Sequence, residues 1–211
     1  MKVYLGLTTI TLCTCLLLSC TSSPKDTNGS VVQSVEATSD QPKRADSILV
    51  PSDSLIIPGQ SIGSLALNTD AAIIMKKFGQ PDAGDAAMGK FVATWFAGHD
   101  STGHVISIFT SKDVGNSETA LVKQIRVTAP GFKTQQGIGT ATSLTQLRKF
   151  YKLDKEKGYR IKQQDVTVYS DSTGIAFEMD KRDRCIGIVI YPKGELHPDT
   201  YSRFLPGMRT Q

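Results

Sequence analysis

The chain is short of cysteine, with four in 211 residues at positions 13, 15, 20 and 185. No disulfide framework can therefore span the bulk of the chain, and a cysteine metal cluster of the zinc-ribbon kind is ruled out for want of ligands. Neither sign of charge is in large excess, with 24 Lys+Arg against 20 Asp+Glu. That balance lacks the basic surplus of a nucleic-acid binder. A Gly-x-Ser-x-Gly elbow is absent, which removes the strained nucleophile turn of one large hydrolase class. Beyond residue 18 there is no apolar run long enough to span a bilayer.

What is present begins at the N-terminus. Lys2 is followed by an uncharged apolar run from Val3 to Leu18, and the run closes on Leu17-Leu18-Ser19-Cys20. A positive start and an apolar core of this length are the marks of a secretory signal peptide, here residues 1–19. The tetrad at 17–20 resembles the lipobox of bacterial lipoproteins. That resemblance implies cleavage before Cys20 and thioether lipidation of its sulfur, with a palmitate-type acyl anchor. A plain signal peptide or an uncleaved anchor is the alternative. Cys13 and Cys15 leave with the signal, so Cys185 is the single remaining thiol. Its neighbours Ile186, Ile188 and Ile190 point to a small buried hydrophobe rather than a nucleophile. The mature chain would carry 23 basic and 20 acidic residues, a charge of +3.

Residues 20–54 are rich in Ser, Thr, Asp, Pro and Gln and poor in large apolar side chains. Such a stretch buries too little surface to offset its ordering entropy and reads as a tether. A flexible chain of about 34 residues has a root-mean-square span of about 30 Å. Export and tethering argue further against nucleic acid as a partner.

From residue 55 the pattern changes to apolar runs punctuated by glycine. Asn68, Thr69 and Asp70 are capping residues ahead of a helix whose Ala71, Ile74, Met75 and Phe78 share a face; Gly79 and Pro81 stop it. Strand-like runs follow at "KFVATWFA", "HVISIFTS" and "LVKQIRVTA". The same order recurs in the second half. "QQGIGTATSLTQL" leads into a capped helix with Ser143 and Gln146 as a capping box, and "DVTVYS", "GIAFEMD" and "CIGIVIYP" supply strands. Ser61-Ile62-Gly63 matches Gly137-Ile138-Gly139, and Lys77-Phe78 matches Lys149-Phe150. The expectation is an α+β fold of two tandem helix-plus-antiparallel-sheet repeats, 55–130 and 131–211, with the helices packed on one sheet face.

The turn-plus-helix phrases around Gly63-Asn68-Phe78-Gly79-Pro81 and Gly139-Ser143-Leu147 resemble the exported domains shared by the β-lactamase inhibitor protein and the SmpA/OmlA outer-membrane assembly lipoproteins. The second copy departs from the pattern, since Phe150 is followed by Tyr151-Lys152-Leu153 rather than Gly-x-Pro. The resemblance implies a periplasmic, outer-membrane lipoprotein that acts by protein binding, performs no chemistry and needs no cofactor.

Strand alternation divides the second half into two faces. Val166, Val168, Ile175, Phe177, Met179, Ile186, Ile188 and Ile190 form the expected core set. Thr167, Tyr169, Ala176, Glu178, Gly187, Val189 and Tyr191 would lie opposite. Tyr169, Val189 and Tyr191, with Trp95 from the first half, are the candidate binding residues, unless the C-terminal tail or the first copy covers that face. The partner would be an envelope protein or polymer.

Three constellations offer other readings. His99, Asp100 and His104 fall within six residues, a candidate metal site or the core of a small envelope hydrolase; a polar turn is the alternative. Glu178 and Asp180 share a strand face and could pair for acid–base work, or belong to a charged turn with Lys181, Arg182 and Asp183. Lys149, Lys152, Lys155, Lys157, Arg160 and Lys162, interleaved with Tyr151 and Tyr159, either complement a helix dipole or meet anionic lipid head groups or wall polymers. The Gly137-Ile138-Gly139 loop lacks the preceding buried strand and following acidic residue of a dinucleotide site, so its glycines read as turn residues.

Overall fold

The computed structural model describes residues 52–161, 163–194 and 209–210. The expected signal peptide, Cys20 and all but the last residues of the expected tether lie outside them, as does Lys162. All described residues belong to one unit, Lys43–Gln211.

The first three apolar runs are strands, as their alternation requires: β5 (Lys90–Phe96), β6 (Val105–Lys112) and β7 (Ala120–Val127), preceded by β4 (Ala83–Ala87). They form an antiparallel meander. The second half supplies β9 (Asp154–Lys155), β10 (Tyr159–Ile161), β11 (Gln164–Asp171), β12 (Ile175–Met179) and β13 (Cys185–Ile190), with β14 (Arg209–Thr210) at the edge. Strand β13 pairs antiparallel with β7 through Ile188–Val127 and Ile190–Ile125. Both halves therefore share one ten-stranded sheet, ordered β14-β10-β11-β12-β13-β7-β6-β5-β4, with β9 also on β11. A smaller sheet, β3-β2-β1-β8, is built from β1 (Leu55–Ile57), β2 (Ser61–Ile62), β3 (Leu65–Ala66) and β8 (Lys133–Thr134).

Helix α1 (Ala71–Phe78) has the expected ends. The Asp70 carboxylate accepts from the Ala72 N–H at 2.8 Å, and Gly79 closes it at φ 77°. Helix α2 is a single turn, Leu144–Leu147, whose Ser143 hydroxyl accepts from Gln146 N–H. Its entry is pinned to the β12–β13 connection, since Ala141 and Leu144 N–H donate to the carbonyls of Cys185 and Asp183. After Leu147 the chain passes through a hydrogen-bonded turn, with the Phe150 and Tyr151 N–H both donating to Leu147 O, and beyond it Tyr151 and Leu153 pack on the core as separate anchors.

The expected α+β class of two tandem helix-plus-sheet repeats, with helices packed on one sheet face, is overturned. Strands outweigh the two short helices heavily, and the architecture is mostly β. Capping boxes and helical spacing at "ATSLTQL" satisfied local rules, but a four-residue helix buries one residue, Leu147, and cannot form a layer.

Both faces of the large sheet are buried. One cluster gathers Ile56, Ile62, Leu65 and Ile74 with Trp95, Ile108, Ile125, Phe177, Met179, Ile188 and Ile190. The other, on the opposite face, holds Val92, Phe109, Tyr159, Val166, Val168, Ala176, Val189 and Tyr191. Val166 and Val168 thus sit on the face opposite to Phe177, one residue out of the expected phase: the register pairs Val168 with Glu178 and Tyr169 with Phe177. Ile186 leaves the expected set for another reason. A bulge at Glu178/Met179 pairs those residues with Gly187 and Cys185, and Ile186 falls between.

Candidate functional site

A cleft of about 520 Å³ opens where the small sheet meets the β11–β12 turn, a size within the usual range for ligand pockets. Its lining includes Leu55, Ile57, Pro58 and Gln60 from β1 and its turn, Gln135 and Gln136 after β8, Phe150 and Tyr151 after α2, and Thr173 and Lys193.

Local sequence explains each wall. Gly59 (φ 71°) donates its N–H to the Gly174 carbonyl at 3.1 Å, and a Cβ on Gly174 would lie 2.7 Å from the Gly59 Cα. Only glycine permits this approach of two turns. Thr134 organises the facing wall. Its carbonyl accepts from Gly137 N–H, its N–H donates to Ile138 O, and its hydroxyl accepts from Ile138 N–H at 3.2 Å. The glycines of "QQGIG" therefore close a tight loop that holds Gln135 and Gln136 toward the cleft. Asp171 ties the remaining walls together. One oxygen accepts from the Thr173 N–H and hydroxyl, and the other from Lys152 N–H at 2.7 Å. Tyr151 packs against Phe177 with ring centroids 5.0 Å apart and the planes tilted by 55°, and burial raises its phenol above the ordinary range. Phe150 stands at the rim, half exposed.

The chemistry on offer is recognition. Three glutamine amides donate and accept hydrogen bonds, the Lys193 ammonium and the Asp171 carboxylate supply charge of both signs, and an apolar floor favours a ligand that is amphipathic or hydroxyl-rich.

The residues expected to bind are elsewhere. Trp95 is buried, its indole N–H donating to Gly79 O at 3.2 Å while its ring meets Phe78 at 5.4 Å. Val189 is fully buried, and Tyr191 is buried with its hydroxyl donating to Asp171 O at 2.8 Å. Tyr169 is half-buried, with the Arg148 guanidinium 5.8 Å from its ring centre. Tyr169 and Trp95 border one cluster, Val189 and Tyr191 the other, so the four do not form one contact face.

His99, Asp100 and His104 form a polar turn. His99 Nδ1 lies 2.6 Å from Asp82 Oδ1, and Asp100 accepts from the Thr102 N–H and hydroxyl. The Phe96 N–H and then His99 hold the Asp82 carboxyl below its usual range. Among the described residues, no three His, Cys, Asp or Glu side chains converge as a metal site requires. Cys185 is buried, and burial pushes its thiol up to about 12.

Glu178 and Asp180 do not converge. Asp180 caps its own turn by accepting from Arg182 and Arg184 N–H. Glu178 is buried in a two-pronged ion pair with Arg126, at 2.8 and 2.7 Å. This pair was missed in the sequence, although both charges interrupt apolar strands ("QIRV", "AFEM"). Gly187 makes room for it: a Cβ there would lie 2.1 Å from Glu178 Oε2. Beside it, burial and then the charge of Glu178 raise the Tyr159 phenol well above its usual value.

No protein-family profile matches the chain, and no curated protein matches it. A solved structure, an extracellular protein containing an SCP domain from Bacillus anthracis str. Ames, is similar over 76% of this chain at 10% identity and a TM-score of 0.39. The chain spans about half, 51%, of that protein's length. A likeness at this level carries no statement about fold or function.

Proposed function

We propose that the chain is a cell-envelope lipoprotein, anchored through Cys20, whose β domain binds an envelope protein or polymer at the cleft and performs no chemistry. The Leu17-Leu18-Ser19-Cys20 tetrad and the polar stretch behind it support the anchor. The observation that carries the binding reading is the cleft itself: a cavity of ligand size whose walls are three glutamine amides and an apolar floor, held open by the paired turns at Gly59 and Gly174. With Val189, Tyr191 and Trp95 buried, contact moves from the sheet face to this cleft.

The test is capture by immobilised chain, wild type against Gln60→Ala/Gln136→Ala, with detergent-solubilised envelope proteins and with isolated wall polymer offered separately. Binding lost in the double variant, with an unchanged thermal midpoint, is the expected result. Equal capture by both chains would remove the cleft from the contact. Membrane fractionation tests the outer-membrane placement separately.

A further inference from the structure

The segment from Arg148 to Lys157, "RKFYKLDKEK", carries five cations against two acids. Arg148, Lys149, Lys152, Lys155 and Lys157 are all exposed. The expectation that they serve a helix dipole does not fit the structure, because α2 ends at Leu147 and is one turn long. The dipole effect needs a longer helix and fades within a turn.

Two of these cations adjoin the same residue, Tyr169. The Arg148 guanidinium sits 5.8 Å from the Tyr169 ring centre. Lys155 of β9 is the register partner of Tyr169 on β11, and register partners share a sheet face. Two cationic residues thus border the same half-buried ring on one sheet face, a pairing of charge that suits an anion. Glu156 is turned to another task, accepting from the Ser170 hydroxyl at 2.5 Å. Between the cations, Phe150 is an exposed large apolar side chain, directly preceded by Lys149 and separated from Lys152 by Tyr151 alone. An exposed aromatic set among basic residues is the composition of an interfacial membrane contact.

We propose that residues 148–157 dock the domain on an anionic lipid surface, with Arg148 and Lys155 taking a headgroup phosphate beside Tyr169 and Phe150 entering the interfacial layer. The occupant is a bilayer because charge complementarity calls for an anionic surface, Phe150 calls for an apolar one, and the tether keeps a membrane within reach. Docking there places the rim of the cleft, to which Phe150 belongs, at the headgroup layer. The inference rests on the tethered reading above.

The test uses the chain from residue 20 onward with Cys20→Ser, so that no acyl chain contributes. Co-sedimentation is measured with vesicles of phosphatidylcholine alone and of phosphatidylcholine mixed with phosphatidylglycerol, at low and high salt. The expected result is binding to the mixed vesicles only, weakened by salt. Lys149→Gln/Lys152→Gln/Lys155→Gln should weaken it on the order of a hundredfold, since each basic residue near an anionic surface contributes a factor of about five. Phe150→Ala should weaken it at high salt as well as low. All four positions are exposed, and an unchanged circular-dichroism melt confirms folding. Binding to neither vesicle, equal binding to both, or full retention in the triple variant would each overturn the proposal. So would a soluble anionic wall polymer that binds with the same residue dependence while vesicles do not. Failure here with Cys20 found lipidated leaves the anchor standing; vesicle binding with Cys20 unmodified leaves the docking surface standing and removes the anchor.

Discussion

Replacing Glu178 by glutamine keeps the shape of the side chain and removes its charge. Both carboxylate oxygens are engaged by Arg126, and neither residue reaches solvent to any extent. The variant leaves the guanidinium in the sheet interior without its counter-charge. Breaking a buried pair from one side costs about 3–5 kcal/mol. For a domain of this size that lowers the thermal midpoint by about 10 °C. Removing both charges, Arg126→Met/Glu178→Leu, should restore most of the loss or exceed wild type, because two desolvation penalties vanish together. The Tyr159 hydroxyl, which hydrogen-bonds to the pair, then loses those two contacts. Gly187→Ala attacks the same site sterically, its Cβ meeting Oε2 at 2.1 Å, and should cost about 1–3 kcal/mol. Urea unfolding at neutral pH with a constant m-value is the assay. A Glu178→Gln cost below about 1 kcal/mol, or a double variant as unstable as the single one, would refute the assignment of a buried pair dependent on mutual neutralisation.

The β4–β5 hairpin turns on Met88 and Gly89, both at positive φ (48° and 75°), where Asn-Gly is the favoured pair. Met88 is 92% exposed and packs on little, so Met88→Asn should stabilise by about 1 kcal/mol in a urea melt. Burial raises Cys185 from 9.0 and Tyr191 from 10.0, each to about 12. The unfolded chain therefore releases these protons first, and stability should fall as pH rises from about 9 toward 12. Cys185→Ala should flatten part of that slope, and the native thiol should resist alkylation until the chain is unfolded. Phe177→Ala removes a fully buried ring packed against Tyr151 and should cost about 3–5 kcal/mol by the same urea assay.

Strand positions were legible because β-branched alternation is a local signal: the runs at Lys90–Phe96, Val105–Lys112 and Ala120–Val127 are strands where alternation puts them. Helix α1 was legible down to its Asp70 cap and Gly79 stop. Helix α2 was legible in its Ser143 cap and its first turn, but its shortness was not, because a capping box marks where a helix starts and says nothing of where it ends. Face assignment failed where it needed register. The one-residue offset of β11 against β12 and the bulge beside Met179 are properties of pairing, and neither strand encodes them alone. The cleft had one visible trace, the Gly137 turn, but its opposite wall comes from Gly59 meeting Gly174, a contact no short window contains.

The most direct test of the tethered, exported reading is the intact mass of the N-terminal peptide from protein extracted from cell membranes. A mature chain that begins at Cys20 with a diacylglyceryl thioether, and a Cys20→Ser chain that a high-salt wash removes from the membrane fraction where wild type stays, is the predicted result. A chain that retains residues 1–19, or that begins elsewhere with Cys20 unmodified, would contradict it.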